Sequence, residues 1–516
     1  MRRASAEPWL IAAAIAAAYL LVQPPSADLA AQIYRTELFQ REGFTLWNAQ
    51  WFSGHHTPGY SVLFPPLAAL LGPRVVGALA AVVAAVLFER LTRERFGSRA
   101  RIGAVWFGAA TATNLFSGRL TFALGVTVGL AALLALQHRR TWLAAGLAAL
   151  CPLASPVAGL FLALAGLAYA TAERRRSGLA VGGAAFGMSV VMSVAFPEGG
   201  TEPFVISAFW PILAFAAAVL VFVPAEERTL RYGAVLYAAA CVAAFALDTP
   251  MGGNAARLGT MFGGPLLACV LWRRRPLALA LAVVPLLYWQ WSAPLRDVAI
   301  ASGDPAVEAS YYAPLRAFLM RQPGPAGTVE IPLTRNHWEN VHVARDFPLA
   351  RGWERQLDVK YNRLFYEPTL DPERYRAWLY RAGVEYVALP DARLDYSAIP
   401  EARLIRRGTP YLRPVWRSEH WRVYRVAGGS PVSGPAKLVA RGNDSFTLVA
   451  RRAGPVLVHM RYTPYWAIAS GEGCIEEAPG GFTRLRLRRA GTVRVVTSFA
   501  PKRMLGRGSG CDPGRR

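Results

Sequence analysis

The sequence is poor in the charged residues that soluble proteins use at their surfaces. Only 17% of its 516 residues are charged, whereas 53% are hydrophobic, and the mean hydropathy is +0.25. The sequence has no Walker loop, no glycine-rich dinucleotide fingerprint, no Cys/His cluster with metal-ligand spacing and no internal repeat. These absences argue against a soluble enzyme that binds nucleotide sugars, and the composition indicates a membrane protein.

Cysteine is also scarce, with five in the chain. Cys151, Cys241 and Cys269 lie in apolar segments, where a thiol packs as a small hydrophobic residue. Cys474 and Cys511 lie in the polar C-terminal half. If that half is exported to an oxidising compartment, we expect these two cysteines to form a disulfide.

Long apolar runs fill the first half of the chain. Up to residue 291, runs of Ala, Leu and Val approach the roughly 20 residues that cross a bilayer, and we count about eleven of them. The first run, residues 9–22, is short, and a cleaved signal peptide is its alternative interpretation. We therefore predict an α-helical polytopic membrane domain over residues 1–291, which includes a long first outer loop at residues 23–59.

The positive charge predicts how this domain is oriented. A net charge of +24 would suggest a nucleic-acid partner in a soluble protein, but here much of the positive charge lies in clusters between the apolar runs. The clusters are Arg2/Arg3 and residues 90–101, 138–140, 174–176, 228–231 and 273–275. The positive-inside rule makes all of them cytoplasmic. We therefore expect a multi-pass protein of a bacterial cytoplasmic membrane, with a cytoplasmic N-terminus, an extracytoplasmic C-terminal domain, a lipid bilayer around it and no nucleic acid.

The second half of the chain has ordinary soluble composition. Apolar segments at residues 329–333 and 384–389, with a helical segment at 372–382 between them, predict an α/β module over residues 292–426. Short alternating strands with Gly/Pro turns then predict a β-sandwich over residues 427–501. The Gly/Arg-rich residues 502–516 predict a flexible tail, unless Cys511 restrains it.

A single acid stands at the outer end of the first apolar run. Asp28 begins a segment, residues 27–42, whose apolar residues predict a helix along the membrane surface. A carboxylate at this position can act as a general base. Alternatively, it stabilises the first turn of that helix, a role for which Ser26 is equally suited.

Aromatic and polar residues follow in the same loop. Trp47, Trp51, His55, His56 and Tyr60 combine rings with hydrogen-bonding groups, a mixture that suits carbohydrate. The alternative is an aromatic belt at the membrane surface. Adjacent histidines without further ligands argue against a metal site here.

Two other outer loops offer ligands for a phosphate group. Asn254 and Arg257 begin an apolar segment just after Gly252-Gly253, and a helix N-terminus with an arginine favours an anion. Arg119 is a second candidate. Alternatively, Arg257 extends to lipid headgroups.

Two segments of the predicted outer domain are dense in Trp, Arg and carboxylates. They are residues 334–339, with His337, Trp338 and Glu339, and residues 350–358. Binding of an acceptor glycan is one interpretation. A seam of salt bridges to the membrane domain is the other, and we favour it.

A short first helix, an outer acid directly after it, and a long first loop with an interface helix resemble the GT-C class of glycosyltransferases. The resemblance covers the architecture of the whole chain. It implies an inverting enzyme that transfers a sugar from a polyprenyl-phosphate donor to a cell-envelope acceptor, with Asp28 as the catalytic base. Several members carry two adjacent acids, whereas Asp28 is followed by Leu29. This departure leaves open whether a divalent metal, Mg²⁺ or Mn²⁺, is required.

Two other functions are compatible with a polytopic chain. A transporter or lipid flippase needs polar groups at mid-membrane depth and usually has repeated halves. A non-catalytic protein of cell-envelope assembly would bind its partners through the outer domain. Convergence of the loops that carry Asp28, His55/His56 and Arg257 would favour the enzyme.

Overall fold

The computed structural model describes residues 7–504 and residue 511, and it divides the chain into two compact units. The helical unit comprises residues up to 41, 59–193 and 199–302. The β-rich unit comprises residues 42–58, 194–198 and those from 303 onward. The basic cluster Arg2/Arg3 lies outside the described residues, as does most of the predicted tail.

The helical unit consists of helices joined by short loops. Within the described residues these helices are α1 (Pro8–Val22), α2 (Ala27–Glu42), α3 (Phe64–Leu71), α4 (Pro73–Phe96), α5 (Ala100–Ala110), α6 (Ala112–Phe116), α7 (Leu120–Gln137), α8 (Thr141–Ala154), α9 (Pro156–Glu173), α10 (Arg176–Ala195), α11 (Ile206–Phe222), α12 (Arg228–Ala246), α13 (Ala256–Leu271) and α14 (Pro276–Ala301).

Six helical segments are long and apolar enough to cross a membrane, counted over the described part of the chain. They are the continuous stretch α4–α6, 44 residues long, together with α7, α9, α10, α12 and α14. The pair α1 and α2 passes the same test only when joined, and α8 and α11 are shorter apolar helices. A helical region with several candidate spans is therefore present, but the expected number of about eleven is not confirmed.

The first helix ends where the sequence places two prolines. Proline lacks an N–H and disfavours helical backbone in the residue before it, so Pro24-Pro25 cannot continue α1. The chain resumes as α2 after a bend of 76°. The predicted helix at residues 27–42 is present with the same bounds. It is not a simple surface helix, however, because its polar residues Gln32 and Arg35 are only 1% and 4% exposed.

The β-rich unit contains two short strands from the first loop and the whole C-terminal half. Its elements are β1 (Trp47–Asn48), β2 (His55–His56), α15 (Ala309–Met320), β3 (Thr328–Glu330), α16 (Glu339–His342), α17 (Arg355–Tyr361), α18 (Pro372–Arg381), β4 (Val384–Pro390), α19 (Ile399–Arg407), β5 (Leu412–Arg417), β6 (Trp421–Val426), β7 (Val432–Ser433), β8 (Ala436–Arg441), β9 (Ser445–Ala450), β10 (Gly454–Arg461), β11 (Trp466–Ser470), β12 (Gly473–Ala478), β13 (Phe482–Leu487), β14 (Gly491–Thr497) and α20 (Pro501–Met504).

Two four-stranded antiparallel sheets form the predicted sandwich. Their strand orders are β12-β13-β10-β7 and β11-β14-β9-β8. Side chains of both sheets, among them Val458, Leu485, Phe446 and Trp466, bury one common hydrophobic core. A third sheet, β3-β4-β6-β5, has α18 between its parallel strands β3 and β4, which is the predicted α/β module.

Residues 42–58 belong to the β-rich unit, although the sequence analysis assigns the whole first loop to the membrane domain. Trp47 pairs with His56 in the hairpin of β1 and β2, and its side chain lies in the sandwich core. The N–H of Ala49 donates to the carbonyl of Asn443 at 3.0 Å. These contacts join residues about 400 positions apart, so hydrophobic periodicity alone gives no sign of them.

The structure joins Cys474 to Cys511, the two cysteines that the sequence analysis pairs, with 5.1 Å between their Cα atoms. Cys474 lies in β12, so the bond attaches residue 511 to the edge of a sandwich sheet. The other three cysteines are free and buried.

The charges of residues 350–358 are neutralised inside the β-rich unit. The Arg351 guanidinium donates to both carboxylate oxygens of Asp358, at 3.1 and 2.5 Å, and Arg355 donates to both oxygens of Asp395, at 3.0 and 2.8 Å. Arg351 is only 1% exposed. These four groups have partners within their own unit, and the expected seam of salt bridges to the membrane domain stays a prediction.

Two buried carboxyl groups lie beside this network. Glu330 and Glu401 are both fully buried, and the Arg351 Nη1 is 3.6 Å from Glu401 Oε2. Burial raises the pKa of Glu401 to about 7, and burial together with the Glu401 charge raises the pKa of Glu330 well above its ordinary value. The folded protein therefore favours the protonated form of these groups.

The raised pKa values of Glu330 and Glu401 predict that the free energy of unfolding falls as the pH rises. The pKa of Glu401 is higher in the folded protein than its unfolded value of about 4.5. Its contribution to the free energy of unfolding is therefore fully present below about pH 4.5 and is lost as the pH rises through about 7. We expect the free energy of unfolding of the wild type to fall by on the order of 3 kcal/mol between about pH 5 and about pH 8 through this group. The variant Glu401→Gln has no ionisable group at this position and should lack that fall. Thermal unfolding of the detergent-solubilised protein at both pH values measures this, and equal slopes for the wild type and the variant would contradict it.

Candidate functional site

Three connections of the helical unit bring one carboxylate and two guanidinium groups together. Asp28 lies in the first turn of α2, Arg119 directly precedes α7, and Arg257 lies in the first turn of α13. The sequence analysis selects all three residues from separate loops. Their proximity is a finding of the structure.

Asp28 and Arg119 form an ion pair. The Arg119 Nε donates to the Asp28 Oδ2 at 3.3 Å, and the two side chains are 28% and 31% exposed. The pair is therefore formed without closing off the carboxylate. A bound molecule can still approach both groups.

Gly118 explains why Arg119 lies so close to α2. Its φ is +73°, which is in the left-handed region that glycine tolerates. A Cβ atom on Gly118 would lie 2.3 Å from the Leu29 nitrogen and 2.6 Å from the Ser26 Oγ. The backbone turn before α7 therefore packs directly against the start of α2, and only glycine permits this approach.

A second close backbone contact positions Arg257. A Cβ atom on Gly252 would lie 1.9 Å from the carbonyl oxygen of Glu202, so the turn before α13 packs against the loop before α11. The Tyr237 hydroxyl bonds to the backbone at both sides of Arg257, donating to the Ala255 carbonyl at 2.8 Å and accepting from the Gly259 N–H at 3.2 Å. The start of α13 is therefore held in place by two neighbouring segments.

The environment of Arg257 includes both of the other charged residues. Its guanidinium interacts electrostatically with Asp28, Arg119, Tyr60 and Glu202. It also lies over the ring of Phe122, 5.5 Å from the centroid. Glu202 is a member of this group that the sequence analysis did not select.

One face of α2 extends the site. Asp28, Gln32 and Arg35 are four and three residues apart, so they share a face of the helix. The Gln32 Nε2 donates to the Tyr60 hydroxyl at 2.8 Å, and the Arg35 Cζ lies 3.8 Å from the centroid of the Tyr60 ring. The sequence analysis does not select Gln32 or Arg35 as site residues. Their helical spacing from Asp28 was the signal that could have included them.

This composition suits an anion next to a base and does not suit a divalent cation. The Asp28 carboxylate is paired with a guanidinium, and Mg²⁺ or Mn²⁺ needs several oxygen ligands. Within residues 7–504 and 511, no three His, Cys, Asp or Glu side chains are grouped so that they could hold a metal ion. Arg119 and Arg257 near Asp28 instead offer bidentate donors to phosphate oxygens.

The third predicted phosphate ligand, Asn254, lies in the short 3₁₀ turn Gly252–Ala255. It is half-buried, and its backbone N–H donates to the Met251 carbonyl at 2.9 Å. Its role at a donor phosphate stays a prediction.

The aromatic loop residues other than Tyr60 lie in the β-rich unit. Trp47, Trp51, His55 and His56 are each at most 5% exposed. The His56 ring is 2.7 Å from Glu198 through Nδ1 and 2.9 Å from the Thr463 hydroxyl through Nε2. The structure thus gives these side chains packing partners, and their binding of sugar stays a prediction.

The candidate residues of the segment 334–339 are likewise buried. His337, Trp338 and Glu339 are 1%, 8% and 0% exposed. The His337 ring stacks on Trp353 with 3.5 Å between the centroids, and Glu339 accepts hydrogen bonds from the hydroxyl of Thr334 and the side-chain amide of Asn340. Acceptor binding by these three residues also stays a prediction.

Comparison with known proteins gives a likeness in structure but no match in sequence. No family model and no curated protein sequence matches the chain. Among solved structures, the crystal structure of ArnT from Cupriavidus metallidurans in the apo state is similar over 79% of this chain and 94% of that chain, with a TM-score of 0.38 and 15% sequence identity. A likeness of this size carries no conclusion about the activity of this chain.

The close contact at Gly118 predicts a specific sensitivity. We expect Gly118→Ala to lower stability by at least about 2 kcal/mol, because the added methyl group strains the left-handed backbone and overlaps the start of α2. The matched control is Gly146→Ala in α8, where a Cβ atom has no neighbour within 4 Å and alanine favours the helix. Thermal unfolding compares them, and a wild-type melting temperature for Gly118→Ala would contradict the proposed contact.

Proposed function

We propose that the chain is a membrane glycosyltransferase of the GT-C type, which transfers a sugar from a polyprenyl-phosphate donor to an extracytoplasmic acceptor. The observation that carries this proposal is the half-exposed carboxylate of Asp28 beside Arg119 and Arg257, at the ends of apolar helices. Such a group combines a base with cationic ligands for a phosphate. The six candidate membrane spans are consistent with a lipid-linked substrate.

In the proposed reaction, Asp28 accepts the proton of the acceptor hydroxyl as that oxygen attacks the anomeric carbon of the sugar. The new glycosidic bond forms while the bond from the anomeric carbon to the phosphate oxygen breaks, and the electron pair leaves with the phosphate. Attack opposite the leaving group inverts the configuration of the carbon. The products are the glycosylated acceptor, the polyprenyl phosphate and a proton on Asp28.

The arginines have two roles in this mechanism. Arg119 orients the Asp28 carboxylate through the 3.3 Å ion pair. Arg257 stabilises the negative charge that develops on the departing phosphate, with Arg119 as its neighbour. Because the turns at Gly118 and Gly252 fix both residues through backbone contacts, the donors need little rearrangement at the moment of reaction.

The position of the charged group favours an enzyme over a transporter or flippase. Asp28 and Arg257 each lie in the first turn of a helix, and Arg119 lies just before one. A transporter of charged substrates usually places its ionisable groups midway along the membrane-spanning helices. The extracytoplasmic side of this group, the donor and the acceptor are all part of the proposal.

Loss of the base is the first test. We expect Asp28→Asn to reduce transfer by about 10²- to 10⁴-fold, because the isosteric amide cannot accept the proton. Cells that lack the protein would be complemented with either form and their envelope glycans compared, with protein amounts checked by immunoblot. Glu37→Gln, which removes an acid from the same helix, is the control and should restore the glycans. Full complementation by Asp28→Asn would rule out this role.

Loss of the phosphate ligand should show in donor binding. We expect Arg257→Gln to raise KM for the lipid-linked donor by about tenfold or more, because the donor phosphate then lacks the charge-assisted hydrogen bonds from this guanidinium. Arg274→Gln removes a charge beyond the other end of α13 and should leave KM unchanged. Initial rates at varied donor concentration measure both variants. An unchanged KM in Arg257→Gln would contradict the assignment.

A further inference from the structure

The β-rich unit carries a large excess of positive charge. Residues 303–504 contain 31 Lys and Arg against 19 Asp and Glu. Many arginines are neutralised internally, as Arg351 and Arg355 are. Positive charge that could attract a ligand therefore lies where several arginines are close together and few carboxylates are near them.

Two neighbouring loops at one end of the sandwich carry four arginines. Arg451 and Arg452 lie in the loop between β9 and β10, and Arg488 and Arg489 lie in the loop between β13 and β14. Each loop crosses from one sheet to the other. We refer to these four residues as the basic end of the sandwich.

The strand register places the two loops side by side. Ala450, just before the first loop, pairs with Gly491, just after the second. Gly454, just after the first loop, pairs with Leu487, just before the second. Paired strands have Cα atoms roughly 5 Å apart, so residues 451–453 and 488–490 run next to each other between the same strands.

The four arginines lie in solvent with little compensation. All four are exposed. Arg489 pairs with Glu472 at 2.8 Å, and within the described residues the other three have no ion pair. Like charges in adjacent positions repel one another. An anionic ligand that accepts hydrogen bonds from several guanidinium groups would offset that repulsion.

We propose that the basic end binds an anionic glycan of the cell envelope, one with phosphate or carboxylate groups repeated along its chain. Arginine binds both groups bidentately, and two adjacent loops with two arginines each match a ligand that carries several charges in a row. This binding is independent of the transferase activity proposed above.

A glycan is favoured over the bilayer surface by the composition of the two loops. Residues 451–453 and 488–490 are each two arginines followed by an alanine. Segments that bind at a bilayer surface combine basic residues with large apolar side chains that enter the acyl boundary. These two loops lack such side chains, so their charges suit a polyanion in solution.

Binding to a phosphorylated dextran tests the proposal, with unmodified dextran of the same length as the neutral comparison. The full-length protein would be held in nanodiscs of phosphatidylcholine. We expect binding to phosphorylated dextran that weakens with added salt. Replacing Arg451, Arg452, Arg488 and Arg489 with glutamine should weaken it by on the order of tenfold, since each exposed ionic contact contributes modestly.

The charge-matched control replaces four exposed arginines elsewhere in the unit. These are Arg403, Arg406, Arg407 and Arg422, and their replacement with glutamine should leave the affinity within about twofold. Equal weakening in both variants, or no binding by the wild type, would overturn the proposal. Vesicles of phosphatidylcholine with phosphatidylglycerol provide the last arm. The proposal would also be overturned if the wild type bound these vesicles through the basic end but did not bind phosphorylated dextran.

Discussion

The candidate site depends on a backbone contact between the turn before α7 and the start of α2. Gly118 makes this contact possible, because a side chain there would overlap the Leu29 nitrogen. The contact places Arg119 within 3.3 Å of Asp28, although 91 positions separate them in the sequence. If the turn were displaced, Asp28 would keep its helix position but lose the partner that orients its carboxylate. The chemistry of the site therefore rests on a steric constraint at a residue that has no functional group.

Local features of the sequence predicted the start of this site well. Pro24-Pro25 predicted the end of α1, and residues 27–42 predicted α2 with the observed bounds. Asp28 could be selected because it directly follows the first apolar run, and Arg257 because it begins an apolar helical segment. Their proximity could not be predicted, since it depends on contacts between helices that no local pattern encodes. Glu202 was missed for the same reason.

Residues that look alike in the sequence of the first loop differ in their burial and in the unit to which they belong. Trp47, Trp51, His55 and His56 share one loop with Tyr60, and their residue types suggested a common surface. In the structure, Tyr60 contacts α2, whereas the other four lie among buried side chains of the β-rich unit. An aromatic side chain serves a hydrophobic core as well as it serves a sugar. The residue types alone therefore could not distinguish the two uses.

Arginine shows most clearly that the residue type alone does not reveal its use, because the arginines of this chain lie in three different environments. Arg351 is buried and neutralised by Asp358, so its removal would leave an isolated carboxylate in the core. Arg119 is half-exposed and paired with Asp28, so part of its guanidinium stays open to solvent. Arg452 is exposed in a loop beside three further arginines. The net charge of +24 contains all three kinds. Only the distances to neighbouring carboxylates show which part of that charge stabilises the fold and which part is available to a ligand.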